Sequence, residues 1–378
     1  MIYPALGFFA VLASCLAFNA SAGEMPRYEH IFVIVAENKS FDQIVGSPDA
    51  PKLNSLAKGY GLATRFYGEV HPSEANYIAM LGGDTFGIHD DDAWYCVPFK
   101  IDPYCAYSVL PGYVSHSISA RSLMDQLEEA KLSWKGYFED LPAPGSLAIY
   151  DPSPSHPDPE RPMLLYASKH NGFAAFERVR QDPKIAEKIV PLGQLRADLA
   201  DGTLPNYAHI VLDQCDDMHG LYPNAATKPP ADCIPDSSRP ELMAALIRRG
   251  DAAIGTIVDE IMTAPVWSKP GNVAIVITWD EDGRKTEGAQ GCCGFDPAAP
   301  SNFGGGHIPT IVVTNHGPRN VEDPQPYNHY SLLRTTEEAF GIGEYLGFAG
   351  ADDKGVKVMT PLFAVQDGAL GAAAQPAR

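Results

Sequence analysis

Two apolar runs in this chain end directly on acidic and amide residues. His30-Ile31-Phe32-Val33-Ile34-Val35-Ala36 is followed at once by Glu37-Asn38, and Val273-Ala274-Ile275-Val276-Ile277-Thr278-Trp279 by Asp280-Glu281-Asp282-Gly283. A run that is apolar at nearly every position buries both of its faces, which suits a central strand of a parallel sheet covered by helices. Ile308–Thr314 and His209–Leu212 are shorter runs of the same kind. Helical patterns lie between them. Ser122–Ala130 repeats Leu123, Met124, Leu127 and Ala130, Arg239–Met262 carries Leu242, Leu246, Ile254, Ile257 and Ile261 on one side, and Ser331–Phe340 is a third. Strands alternating with helices predict an α/β three-layer sandwich with a mostly parallel central sheet. In such sheets ligands bind beyond the carboxyl ends of the strands. Glu37, Asn38, Asp280 and Glu281 are therefore candidate site residues by position alone.

The chain of 378 residues suits one large domain. Residues 1–22 read as an export signal: an apolar stretch from Ile2 to Phe18 precedes the small-residue site Ala20-Ser21-Ala22, although no Lys or Arg stands near Met1. Leu12-Ala13-Ser14-Cys15 offers lipoprotein processing at Cys15 as a second reading. Residues 23–367 then form the domain, with a Pro-, Asp- and Tyr-rich insertion at about 88–162, and 368–378 a small-residue tail. The expected location is secreted or periplasmic, with no stable membrane span. Beyond Cys15 the remaining cysteines suggest disulfides in an exported chain. Local pairs Cys96–Cys105 and Cys215–Cys233 are the first expectation, and the adjacent Cys292 and Cys293 either pair with each other or elsewhere.

The formal net charge of −19 disfavours general nucleic-acid binding, which needs basic surface, and docking on anionic membranes. It does not exclude a small phosphate ester, because one bound cation reverses the local field. If the two acidic strand ends are neighbours, their carboxylates repel unless a cation sits among them. An oxygen-rich set of Glu37, Asn38, Asp280 and Glu281 favours one hard divalent ion such as magnesium, calcium or manganese, with zinc as the alternative.

Val70-His71-Pro72-Ser73-Glu74-Ala75-Asn76 opens a short helix. A serine there is ordinarily a helix cap. It becomes a nucleophile if a metal lowers the pKa of its hydroxyl, and Asn76, one turn on, would then donate to a phosphoryl oxygen. Neither a Gly-x-Ser-x-Gly elbow nor a P-loop is present, since Gly304-Gly305-Gly306 lacks the following Lys-Ser/Thr.

Glu37-Asn38-Lys39-Ser40-Phe41-Asp42 resembles the opening motif of the bacterial and fungal phosphoesterase family that includes acid phosphatases and phospholipase C-type enzymes. Further matches follow in the family's order: His71–Gly83, Ser122–Pro142, Tyr166–Asn171, Asp217-Met218-His219, Thr278–Glu281 and His329–Arg334. The resemblance implies an alkaline phosphatase-like fold and hydrolysis through a phosphorylated serine. It gives Ser73 the nucleophile role and Asn76 the oxyanion role, places His170 and His219 near the phosphoryl group, and makes Glu37, Asn38, Asp280 and Glu281 the metal ligands. His71 and His307 are further candidates for contact with substrate. Asp282-Gly283-Arg284 departs from the His-Gly-Gly of larger members, and Glu281 stands where two-metal relatives often place His, so one ion is expected. The expected activity is phosphomonoester hydrolysis of the acid-phosphatase type. The alternatives are diester cleavage, including phospholipase C-type, and a non-catalytic phosphate-ester-binding protein.

Overall fold

A computed structural model describes residues 24–152, 164–224, 227–283, 290–294 and 304–365. The signal segment, Cys15, Arg284 and the tail lie outside the described residues. Eleven strands run in chain order: β1 (His30–Ala36), β2 (Gly61–Tyr67), β3 (Trp134–Phe138), β4 (Tyr150–Asp151), β5 (Tyr166–Ala167), β6 (Ile189–Pro191), β7 (Tyr207–Val211), β8 (Val273–Trp279), β9 (His307–Thr314), β10 (Val321–Asp323) and β11 (Tyr327–Asn328). Nine of them form one sheet in the order β10-β2-β9-β8-β1-β7-β3-β6, with β11 also on β2; β4 and β5 pair separately.

The four continuous apolar runs occupy the middle of this sheet. β1 pairs in parallel with β8 on one side and β7 on the other, and Ala36 stands opposite Trp279. That register brings Glu37 and Asp280 out of the sheet side by side. β9 runs antiparallel to both β8 and β2, an exception to the otherwise parallel sheet. Every residue of β8 is buried, and all of β1 after His30. Both faces must therefore be covered, and two groups of helices do so. Pro51–Gly59 packs on Pro240–Thr263, while Glu74–Gly82 packs on His329–Phe340 and Leu123–Glu129. The fold is thus the flanked, mostly parallel sandwich that the alternation predicts.

Within the expected insertion of about 88–162, Leu123–Glu129 is a helix of the sandwich and β3 is an interior strand between β7 and β6. Residues 84–122, between two helices, hold no helix or strand. Local composition could not separate this stretch from β3, because Pro and Tyr continue on both sides. The cysteines pair as Cys96–Cys105, Cys215–Cys233 and Cys292–Cys293. Such bonds fit an oxidising compartment. Among the described residues no helix is long and apolar enough to cross a membrane.

Candidate active site

The site begins with the turn after β2. Gly68 and Gly305 lie so close that a Cβ on Gly305 would stand 2.4 Å from the Gly68 carbonyl carbon, and one on Gly68 would stand 2.6 Å from the Asp280 carbonyl oxygen. Only glycine permits that approach. The Gly304–Gly306 run is thus a packing device under Asp280, and the Asp282 amide donates to Gly305 O at 2.7 Å.

Ser73 heads the wholly buried helix Glu74–Gly82, yet its side chain makes no capping hydrogen bond. Its hydroxyl instead donates to Glu37 Oε2 at 3.0 Å. The ordinary reading of this serine as a cap is thereby removed. Glu37 is fully buried and also accepts a 2.6 Å bond from the Tyr77 hydroxyl on Oε1. Burial first, then the charges of Asp280 and Asp217, push its carboxyl well above the usual range. Asp280 is pushed up to about 6, chiefly by burial, while the Asn38 amide donates to its Oδ1 at 3.1 Å and draws it back.

Asn76 spends three of the four bonding positions of its amide on the preceding loop. Oδ1 accepts from the Glu69 and Val70 amides at 2.9 and 3.1 Å, and Nδ2 donates to Val70 O at 2.8 Å. It holds the loop that carries Ser73, and one N–H remains for the expected oxyanion role.

His170 and His219 converge on Glu37. One ligand atom from each of the three residues lies within 4.8 Å of the others, and Glu139, Asp213 and Asp216 make a second such group. His170 Nε2 is 3.3 Å from Glu37 Oε1 and its Nδ1 is 3.2 Å from Asp217 Oδ2, though neither ring nitrogen is angled for a strong bond. Burial and the Lys169 charge hold both imidazoles neutral, with His219 lowered to about 3. His219 Nδ1 lies 2.7 Å from Gly220 O, so it carries the proton and Nε2 keeps its lone pair. Such a ring accepts a metal or a proton but has none to give at Nε2.

Glu281 turns away to His71, with Oε2 2.7 Å from Nδ1, while Asp282 Oδ1 lies 3.2 Å from Nε2. Burial opposes a charge on His71, but the two acids outweigh it and raise the ring to about 10. His71 is thus ion-paired with both acids of the Asp280–Asp282 turn. Of the four-residue oxygen set, Glu281 faces His71, and the described groups with ligand spacing contain Glu37 but neither Asp280 nor Glu281. His307 also leaves the site, since its Nε2 meets Thr64 O at 2.9 Å and its ring stacks on Phe41 with centroids 4.4 Å apart.

Several residues escaped sequence reading. Lys169 Nζ lies 3.2 Å from both His219 Nε2 and Asp91 Oδ2. Lys39 is buried, donating to Met218 O at 2.7 Å and to Asn38 O at 3.0 Å. Tyr77 and Asp217 complete the ring around Glu37. Lys169 and Asp217 lie inside matched motifs, so adjacency to His170 and His219 was the available signal. Nothing local marks Tyr77, which reads as an ordinary apolar helix position.

Whether these residues suit a cation can be tested on their unmet bonds. Asn38 Oδ1, Asp280 Oδ2, Asp217 Oδ2 and His170 Nε2 are buried with no hydrogen-bond partner. Buried donors and acceptors are normally paired, and the carboxylates of Glu37, Asp217 and Asp280 repel one another. The set fits a divalent ion.

The model of the Phosphoesterase family matches residues 47–232 and 242–343, well over half of the chain. The chain belongs to the Phosphoesterase family. This phosphoesterase is 25% identical over 356 residues to the phosphatidylinositol-3-phosphatase of Mycobacterium tuberculosis, covering 90% of this chain and 89% of that protein. It is 27% identical over 318 residues to an acid phosphatase of Aspergillus fumigatus, covering 83% of this chain but only 55% of the relative. In fold it is similar to the lipoteichoic acid synthase LtaP of Listeria monocytogenes, at a TM-score of 0.54, 11% identity and coverage of 92% and 78% of the two chains. The phosphoesterase is thus a hydrolase of phosphoric ester bonds built on a mostly parallel sheet flanked by helices.

Proposed function

We propose that the protein is an exported, metal-dependent phosphomonoesterase that works through a phosphoserine at Ser73. The observation that carries this reading is the Ser73 hydroxyl: buried, relieved of capping, and bonded to Glu37 Oε2 at 3.0 Å. Glu37, His170 and His219 would hold the cation, with Asn38 Oδ1 and Asp280 Oδ2 as further donors. Two imidazoles among the donors suit zinc or another transition ion better than magnesium or calcium. A divalent ion bound there supplies Lewis acidity toward the phosphoryl oxygens and the serine hydroxyl.

The chain's own residues do the rest. The Asn76-clamped loop presents Ser73 Oγ to phosphorus. As the Oγ–P bond forms, the hydroxyl proton passes along the existing bond to Glu37. The P–O bond to the alcohol breaks, and the departing oxygen takes a proton from solvent. Lys169 and the remaining Asn76 N–H face the charge that gathers on the phosphoryl oxygens. Water then attacks phosphorus and gives up a proton to solvent, the P–Oγ bond breaks, and the proton held by Glu37 returns to Ser73 Oγ.

The test is a panel of p-nitrophenyl phosphate, its bis-ester and phosphatidylcholine, each with and without chelator, together with acid-quenched mass spectrometry of the Ser73 peptide. Monoester turnover that is lost with chelator, and a phosphorylated Ser73 peptide, are expected. Ser73→Ala should lower turnover by on the order of 10³-fold or more. A Ser73→Ala protein as active as the parent excludes the phosphoserine. Faster bis-ester or phosphatidylcholine cleavage makes the enzyme a diesterase, and binding of phosphate esters without turnover makes it a binding protein.

A further inference from the structure

The exposed apolar side chains of this molecule are gathered in one place. Among the described residues, six of the seven exposed large hydrophobic side chains lie in one short segment: Val97, Phe99, Ile101, Tyr107, Val109 and Leu110. Phe99 is 81% exposed and Ile101 95%. Exposed hydrophobics scattered singly need no explanation, whereas a contiguous set marks an interaction surface.

The segment is braced in that posture. The Cys96–Cys105 disulfide closes it, and both cysteines are buried. Inside the loop the Phe99 amide donates to Ser108 O at 2.8 Å and the Ser108 hydroxyl to Cys105 O at 3.0 Å. The Tyr107 amide donates to Asp92 Oδ2 at 3.0 Å, and the His116 amide to Cys96 O at 3.3 Å. The apolar tip therefore stands on a stalk with its own hydrogen bonds, and cannot fold back to hide.

The stalk is rooted in the catalytic corner. Asp91 accepts from the Glu74 amide, next to Ser73, at 3.1 Å on one oxygen and from Lys169 at 3.2 Å on the other. The buried His116 ring bridges Glu74 Oε2 at 2.8 Å and Asp90 Oδ1 at 2.9 Å.

We propose that this tip is a membrane-docking element, in which Phe99 and Ile101 lead the apolar cluster into the interfacial layer of a phospholipid bilayer. Its purpose, which rests on the phosphoesterase reading of Ser73, is to bring phosphate esters carried on lipids to the active site. A protein partner suits the tip less well. A stable protein interface takes about 20–30 residues a side, and this segment offers six exposed large apolar side chains. Charge argues the same way. Within the tip Lys100 offsets Asp102, whereas the chain as a whole carries −19. A second copy would bring the same excess of negative charge, and a basic partner would find no acidic patch at the tip. A bilayer interface accepts an aromatic and aliphatic tip without any charge partner. The acidity of the rest of the molecule selects a mainly zwitterionic surface.

The test is flotation of the purified protein with phosphatidylcholine vesicles carrying a minor share of phosphatidic acid, alongside the Phe99→Ser/Ile101→Ser double variant. The parent should float, and the variant should partition about tenfold less or weaker still, because the buried apolar area is lost. Both side chains are exposed, so the variant should keep the parent's Tm and its turnover of p-nitrophenyl phosphate. A parent that stays with the soluble fraction, or a variant that floats equally well, overturns the proposal. So does a variant that breaks a dimer in sedimentation velocity while neither protein touches vesicles, since the tip is then a protein interface. Flotation needs no turnover. Protein that floats but hydrolyses neither lipid nor soluble ester would refute the enzymatic reading and leave the docking tip standing; active protein that does not float does the reverse.

Discussion

A carboxylate as deeply buried as Glu37 needs compensation, and several side chains share that task. Tyr77 and Ser73 donate to it, and Lys169 acts on it through space. Burial alone would discharge Lys169, but Asp91, Glu37 and Tyr150 together keep it charged. Its ammonium touches His219 and Asp91, and its charge acts on Glu37, the acceptor of the Ser73 hydroxyl. Lys169→Met should therefore lower kcat/KM toward p-nitrophenyl phosphate by roughly 10²- to 10³-fold, the scale of one lost charge-stabilising donor. Lys169→Arg should recover part of it, since the charge returns in a different shape. If Lys169→Met leaves kcat/KM intact, the residue only anchors Asp91.

At the scale of elements, two pieces hold this corner in place. The helix Glu74–Gly82 ends on Gly83, whose φ is +72° and whose added Cβ would lie 2.2 Å from Leu346 O. Its conformation alone costs an L-residue about 1–2 kcal/mol, and the clash adds to that. Gly83→Ala should destabilise the fold by at least about 2 kcal/mol, read as a lower urea midpoint at unchanged slope. The second piece is β7, where His209 is fully buried, 3.1 Å from the Tyr207 hydroxyl and packed against Phe173 and Tyr77. Burial lowers its pKa to about 3. The native ring therefore stays neutral while the unfolded one takes a proton below about 6.5. Its contribution is complete above about pH 6.5 and is lost as pH falls toward 3, at up to about 1.4 kcal/mol per pH unit. Urea titrations from pH 7 to pH 4 should show a shallower slope of stability with pH for His209→Gln, by close to one proton. Equal slopes would mean that the ring is charged in the native state.

For the whole molecule, the sheet order matters most, because it makes strands distant in sequence into neighbours. Glu37 and Asp280 meet only through the β1–β8 register, and His219 joins them from beyond β7. A cation binding the folded site and not the unfolded chain stabilises by about 2.7 kcal/mol at a hundred times its Kd. Chelator-stripped protein should accordingly melt at a lower temperature than protein given zinc or manganese, and Glu37→Gln should lose most of that shift. A Tm indifferent to every divalent ion would exclude this centre as a metal site.

The fold class and the central strands were legible in the chain itself, and of the expected residues the fold brings Glu37, Ser73, His170 and His219 together. Continuous apolar runs have one stable environment, the middle of a covered sheet, and polar residues at their carboxyl ends must emerge at one rim. Local cysteine spacing likewise anticipated Cys96–Cys105 and Cys215–Cys233. The direction of β9 and the extent of the 84–122 loop were not legible, since apolar content says nothing of strand direction and loop composition continues into β3. Side-chain partnership was the other thing only the tertiary structure decided. Glu281 turned to His71, His307 stacked on Phe41, and Lys169 and Tyr77 entered the site unannounced. The residues competing for each bond come from separate strands and loops, and a one-dimensional pattern does not say which of them arrives within reach.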